Sequence, residues 1–217
     1  MWWRILTGLL FILVIVGVFL QPPPQRDLGD ISRIFFFHVP VAWVMVLAFL
    51  FSLINSILYL KRKEMIYDIR ASVSSRLGFL FAILATFSGA IFAKSAWGSF
   101  WNWDPRETAI FILLLIYGAY LVLRSAVETE ERKANFSAVY SILAFVTVPF
   151  LVFVIPRVFQ SLHPADSVVS SRLKIQMPLS ILLTLLGSIS GFSLLFLWMY
   201  KLETRIVLLY KRKRKSL

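Results

Sequence analysis

The sequence predicts an all-α integral membrane protein with six transmembrane helices, and three observations predict it. Of the 217 residues, 59% are hydrophobic and only 16% charged, whereas an ordinary soluble domain is roughly half apolar and a quarter charged. The apolar residues gather into uncharged runs near residues 2–20, 40–60, 77–93, 108–123, 136–155 and 178–200. A spanning helix needs about 20 such residues. The polar stretches between runs are too short to hold a soluble domain, so residues 1–217 read as one six-span membrane domain with a basic tail at 201–217.

A net charge of +12 would suggest nucleic acid in a soluble protein. Here it reads as basic cytoplasmic loops and a tail lying on anionic lipid, with no nucleic acid partner. The absence of cysteine excludes disulfides, thiol redox chemistry, zinc thiolate sites and covalent haem attachment through Cys-x-x-Cys-His.

The first run ends at Gln21-Pro-Pro-Pro-Gln25. No small-x-small cleavage site follows it, so it reads as a retained anchor rather than a signal peptide. The second apolar stretch starts at Ile34, but Pro40 disfavours helix at Val39 and suits a first helical turn. The span is therefore placed at 40–60, leaving Phe35-Phe-Phe-His38 at the membrane edge. The third and fourth runs flank a tryptophan segment at 97–108. The fourth is short, about 24 Å at ~1.5 Å per residue, which holds that segment close to the bilayer. The fifth run closes at Pro156; a loop over 157–177 then carries His163 before Pro164.

Six spans put both termini on one side. That side carries 16 Lys and Arg, against 7 in the three opposite loops. Basic residues favour the cytoplasm, so both termini are assigned there. The tryptophan segment and the protein's only two histidines, His38 and His163, then share the outer face.

Either histidine alone reads as an interfacial polar residue. Together, one on each side of an aromatic segment, they read as metal ligands. With no cysteine beside them they do not complete a structural zinc site, but they match the two axial positions of a haem iron. The ligand implied is a b-type, non-covalent haem with bis-histidine coordination. Trp97, Gly98, Trp101 and Trp103 belong either to an interfacial aromatic belt or to a platform for a flat macrocycle. Asp104, Arg106 and Glu107 are too costly for the hydrocarbon centre and are assigned to the wet edge. Arg106 either grips a propionate in a two-bonded fork or pairs internally with Asp104 or Glu107. Arg26, Arg33, Arg157, Arg172 and Lys174 are lesser propionate candidates.

The segment Trp97-Gly-Ser-Phe-Trp101-Asn-Trp103-Asp104-Pro-Arg106-Glu107-Thr108 resembles the tryptophan-rich WWD signature of haem-handling proteins in cytochrome c maturation. With Phe37-His38-Val39-Pro40, the lone His163 and the six-span length, nearly the whole chain resembles the CcmC family, the haem exporter protein C. The resemblance implies haem held by His38 and His163 against the tryptophans, on the outer, periplasmic face of the cytoplasmic (inner) membrane. It implies delivery to the haem chaperone CcmE, beside the ABC transporter CcmA/CcmB and the small membrane protein CcmD. It implies no independent catalysis beyond promoting the chaperone's attachment to haem. The ending Asp104-Pro-Arg-Glu-Thr108 is closer to the wording of the larger CcsA proteins, which have more spans and more histidines.

Two rivals come from other classes. An electron-transfer haem b protein would carry histidine pairs inside its spans. A small-molecule permease would carry broken helices or polar groups at mid-membrane, where this sequence offers little beyond Asn55 and Thr184.

Overall fold

A computed structural model describes residues 2–21, 23, 26–163 and 177–215. Among these residues the chain is helical without strands, and six helical stretches are long and apolar enough to cross a membrane. Helix α1 (Trp2–Leu20) leads into a 3-10 segment at Arg26–Ile34, which turns at Gly29 with a φ of 57°. Helices α2 (Phe35–Arg62) and α3 (Met65–Trp97) follow, then α4 (Pro105–Ala126) and α5 (Glu130–Pro149). A π-helical turn at Phe150–Val154 joins α5 to the short α6 (Ile155–Val158), and α7 covers Leu179–Lys215.

Several boundaries differ from the hydropathy runs, each for a physical reason. Helix α2 begins at Phe35 and runs straight through Pro40. A proline inside a helix leaves the carbonyl four residues earlier without its donor, here that of Phe36. The hydroxyl of Ser188 on α7 donates to that carbonyl and so supplies the missing bond. Helix α3 begins at Met65 rather than Leu77, because its polar first turns are buried and satisfied. Asp68 accepts both arms of Arg124 on α4, at 2.6 and 3.0 Å. Ser52 on α2 bonds Ser75 at 2.6 Å and Ser141 on α5 at 2.9 Å. Polar groups in such an interior need partners of this kind, since lipid supplies none. Helix α7 carries on past residue 200, so much of the basic tail is helical.

The main core lies among α2, α3, α4, α5 and α7, with Val44, Met45, Phe49, Phe81, Leu113 and Phe196 buried in it. Phe49 stacks on Tyr117 with centroids 3.4 Å apart and planes 8° apart. Gly78 of α3 makes room for this stack: a Cβ there would sit 2.5 Å from the Phe49 ring. Helix α1 packs along α7 through Phe11–Phe192 and Trp3–Trp198 edge contacts.

The bundle has two unlike ends. One is closed by charge pairs, Lys211–Glu130 and Arg76–Glu203, both at 2.6 Å. The other holds the 3-10 segment, the tryptophan segment and residues 155–163, gathered around a cavity. Asn55 and Thr184, the polar groups a permease reading would use, are satisfied locally by the Phe51 and Ser180 carbonyls.

Candidate functional site

The cavity measures about 440 Å³ and is lined by His38, Trp97, Trp101, Arg106, Glu107 and His163, among mainly apolar neighbours. Both histidines predicted as ligands therefore face one space. Its floor and walls come from α2, α3 and α4. The π-helical turn adds Leu151 and Val152, and Pro156 stands beside them. Such turns arise where the regular ladder is interrupted, here between Pro149 and Pro156.

Helix α3 places one side of the site. It ends at Trp97 because Gly98 takes a left-handed conformation (φ 82°) and returns its N–H to the Lys94 carbonyl at 3.1 Å. A residue without Cβ adopts this closure without strain. Helix α4 is capped six residues after Gly98, at Asp104, by a capping box with Pro105 in its first turn. The Asp104 carboxylate accepts the Arg106 N–H at 2.9 Å, and Glu107 reaches back to the N–H groups of Asp104 and Asn102, at 3.3 and 2.7 Å. This Asp-x-x-Glu capping pattern starts α4 at Pro105, ahead of the apolar run at 108–123, a signal that hydropathy alone passes over.

Asp104 does more than cap. Its other oxygen accepts the Ser161 hydroxyl at 2.8 Å and the Leu162 N–H at 2.7 Å, and His163 Nδ1 lies 3.2 Å from Oδ1. The expectation of a wet edge is corrected here: the Asp104 side chain is fully buried. Four hydrogen-bond donors, rather than water, solvate its charge. Burial opposes the charge, yet the hydrogen bonds from Arg106, Ser161 and Leu162 together with His163 hold the carboxyl below its ordinary range.

His38 also differs from expectation. It lies within α2 instead of being held outside a helix by Pro40. Its Nδ1 is 2.9 Å from Ser88 Oγ on α3, and its ring lies so close to Gly89 that an added Cβ would come within 3.0 Å of Cε1. Ser88 Oγ directs its one proton to the Leu84 or the Ala85 carbonyl, at 2.8 and 3.2 Å. It can then only accept from Nδ1–H, which leaves Nε2 of a neutral imidazole with its lone pair. Ionised Asp104 accepts and cannot donate, so His163 Nδ1 carries the proton and Nε2 again bears the lone pair. Burial, with Arg106 nearby, holds His163 below its ordinary value of 6.5 despite Asp104, so the ring is neutral at pH 7. The His38 ring also hydrogen-bonds the Ala85 backbone, and neither Nε2 has a side-chain partner among the described residues.

The tryptophans divide. Trp97 meets the His163 ring edge-on at 4.6 Å, and Trp101 lines the same cavity. Trp103 stands off it, perpendicular to Trp101 and 71% exposed, so the three indoles do not form one flat platform. Its φ of 54° is uncommon for a bulky residue, and strain of this kind concentrates at functional sites.

Arg106 shows neither internal pair among the described residues. It makes no ion pair with Asp104 or Glu107, and its buried Nε finds no partner. Glu107 Oε1 is likewise buried and unpartnered. Arg33 is taken up by Asp30 and the Val18 and Gln21 carbonyls, and Arg157 by the Phe153 carbonyl. Arg172, Lys174 and the side chain of Arg26 lie outside the described residues, as does Pro164. Among the described residues no cluster of three or more His, Cys, Asp or Glu could chelate a metal ion. The donor set is two imidazoles, one buried guanidinium and aromatic walls. That set fits a haem, whose iron takes two axial ligands and whose propionates take a cation. Ser88, Gly89 and Ser161 were not legible as site residues, because only packing brings them to the histidines.

The model of the family described as Heme exporter protein C (CcmC) matches residues 1–217. The chain is 30% identical over 191 residues to Heme exporter protein C of Paracoccus denitrificans, covering 88% of this chain and 78% of the relative. It is 28% identical over 205 residues to the protein of the same name from Bradyrhizobium diazoefficiens, covering 94% and 77%. Similarity to the cytochrome c biogenesis protein CcsA of Spinacia oleracea is 43% but spans 72 residues, 33% of this chain and 21% of that protein. A match along the full chain outweighs one confined to a third of it, and the chain belongs to the CcmC family, Heme exporter protein C.

Proposed function

We propose that this protein binds haem at the cavity end of the bundle and delivers it to the haem chaperone CcmE in cytochrome c biogenesis. The observation that carries the reading is the pair of imidazoles in one cavity, each held through Nδ1 by a side chain from elsewhere in the fold. When bound, haem supplies an iron with two axial positions. His38 and His163 would hold that iron, Trp97 and Trp101 would pack against the macrocycle, and Arg106, whose Nε has no partner among the described residues, would take a propionate. Gly98 and Asp104 shape the segment that carries these groups, and the exposed Trp103 faces the docking partner. Both termini are cytoplasmic and the cavity opens to the periplasmic side of the inner membrane. The ABC transporter CcmA/CcmB and the small protein CcmD work beside it, and the chain itself only promotes attachment of haem to CcmE.

A purified sample from haem-replete cells should show a bis-histidine spectrum that is lost in His38→Ala and in His163→Ala. Unchanged haem content in the double variant would sink the reading. Trp101→Ala with Trp103→Ala should lower CcmE loading more than membrane insertion; equal loss favours a simple aromatic belt.

A second reading is a CcsA-like component of a cytochrome c synthetase, favoured by the 43% identical stretch. It predicts haem transfer to apocytochrome in a reconstituted mixture without CcmE.

A further inference from the structure

The two imidazoles are anchored by chemically different groups. His163 Nδ1 faces an ionised carboxylate that also carries the tip of its loop, through Ser161 and Leu162. His38 Nδ1 faces a neutral hydroxyl whose own proton is directed to the Leu84 or the Ala85 carbonyl. The carboxylate contact, at 3.2 Å, is longer than the 2.9 Å hydroxyl contact, so the inequality rests on the acceptor's charge and not on its distance: charge strengthens such a bond, and an acceptor on the far nitrogen raises the basicity of a ligating histidine. The mechanical arrangement is also unequal. His38 is wedged between two long helices, with its ring against the bare Cα of Gly89. His163 sits in a loop that Asp104 ties to the start of α4.

We propose that Asp104 and Ser88 are positioning residues that make the two histidines unequal ligands. Asp104 makes His163 the strong donor, and Ser88 orients His38 without strengthening it. The proposal rests on the haem-binding reading and deepens it. A carboxylate hydrogen-bonded behind one ligating imidazole would favour ferric over ferrous iron, so Asp104 biases the haem the protein carries toward the oxidised form.

The test measures haem content and haem reduction potential in the purified full-length protein. Asp104→Ser keeps a capping hydroxyl at the start of α4 but removes the carboxylate from His163. It should shift the ferric-to-ferrous preference at least tenfold toward ferrous, about 59 mV upward for a one-electron couple. Ser88→Ala should shift that preference less than threefold while lowering haem content, and Ser88→Thr should restore the content. Should Asp104→Ser not accumulate in the membrane, Ser88→Asp reads the same effect from the other side, with the potential moving down. Equal shifts in Asp104→Ser and Ser88→Ala, or no shift in either, would overturn the proposal while wild-type haem binding leaves the parent reading intact. A wild-type protein without haem removes the parent reading, and the proposal with it.

Discussion

Helices α3 and α4 use the same two devices at both ends of the bundle, and the outcomes are opposite. At the charge-paired end, buried Asp68 takes both arms of Arg124, and Gly78 receives the ring of Phe49. At the cavity end, buried Asp104 is satisfied by neutral donors and His163, leaving the Arg106 Nε unpartnered, and Gly89 receives the ring of His38. The first aspartate closes a contact between two helices. The second leaves its nearby arginine available. A buried, unpaired guanidinium nitrogen costs stability, and a fold does not need it. On the proposed haem-binding reading, the acceptor would come from the ligand.

Breaking each device separately tests the comparison. The largest effect belongs to Asp68→Ala, which strands a buried arginine and should cost about 3–5 kcal/mol, read as lost resistance to unfolding in detergent. Replacing Asp68 and Arg124 together by leucine should recover much of that loss. Arg106→Met should leave unfolding nearly unchanged and weaken haem retention ten- to a hundredfold, the ~1.5–3 kcal/mol of a charged hydrogen bond. A comparable fall in stability would place Arg106 with Arg124 as a structural residue.

The two glycines allow a matched experiment. Gly78→Ala forces a methyl into a packed stack and should cost about 1–3 kcal/mol of stability. Gly89→Ala adds the same methyl against the His38 ring, whose other side lines the cavity, so a small tilt of the ring can absorb it; it should lower haem content with little change in unfolding. If both variants lose stability alike, the cavity end is packed as tightly as the core.

The smallest effect is in pH. Burial lowers the His163 value below 6.5, so folding holds the ring neutral. The shift is downward, so stability is lost as pH falls below 6.5 and nothing is lost as it rises. Haem retention should therefore be flat between pH 8 and 7 and decline only on acidification, as a pH series of the spectrum would show. Asp104, also shifted down, keeps its charge through that range.

The six spans, the tryptophan segment and the two histidines were all legible in the chain. Apolar run length against bilayer thickness is a local quantity, and so is the sequence Asp104-Pro-Arg-Glu107 that starts α4. Boundaries were misjudged where a polar residue was satisfied by a distant one: Asp68 by Arg124, or the carbonyl freed by Pro40 by Ser188. The same limit applied to the site. Asp104 looked solvent-exposed because a carboxylate alone belongs in water. Only the return of residues 161–163 to its side gives it enough donors to be buried.

What the sequence by itself determined is therefore the class, the membrane topology it expects and the residue types able to hold haem. What the tertiary structure decided is which groups stand behind them: Ser88 behind His38, Asp104 behind His163, and no hydrogen-bond partner for Arg106 Nε among the described residues. The reason is that these hydrogen bonds join residues about 50 or more positions apart. No periodicity or spacing along a chain encodes a contact of that range.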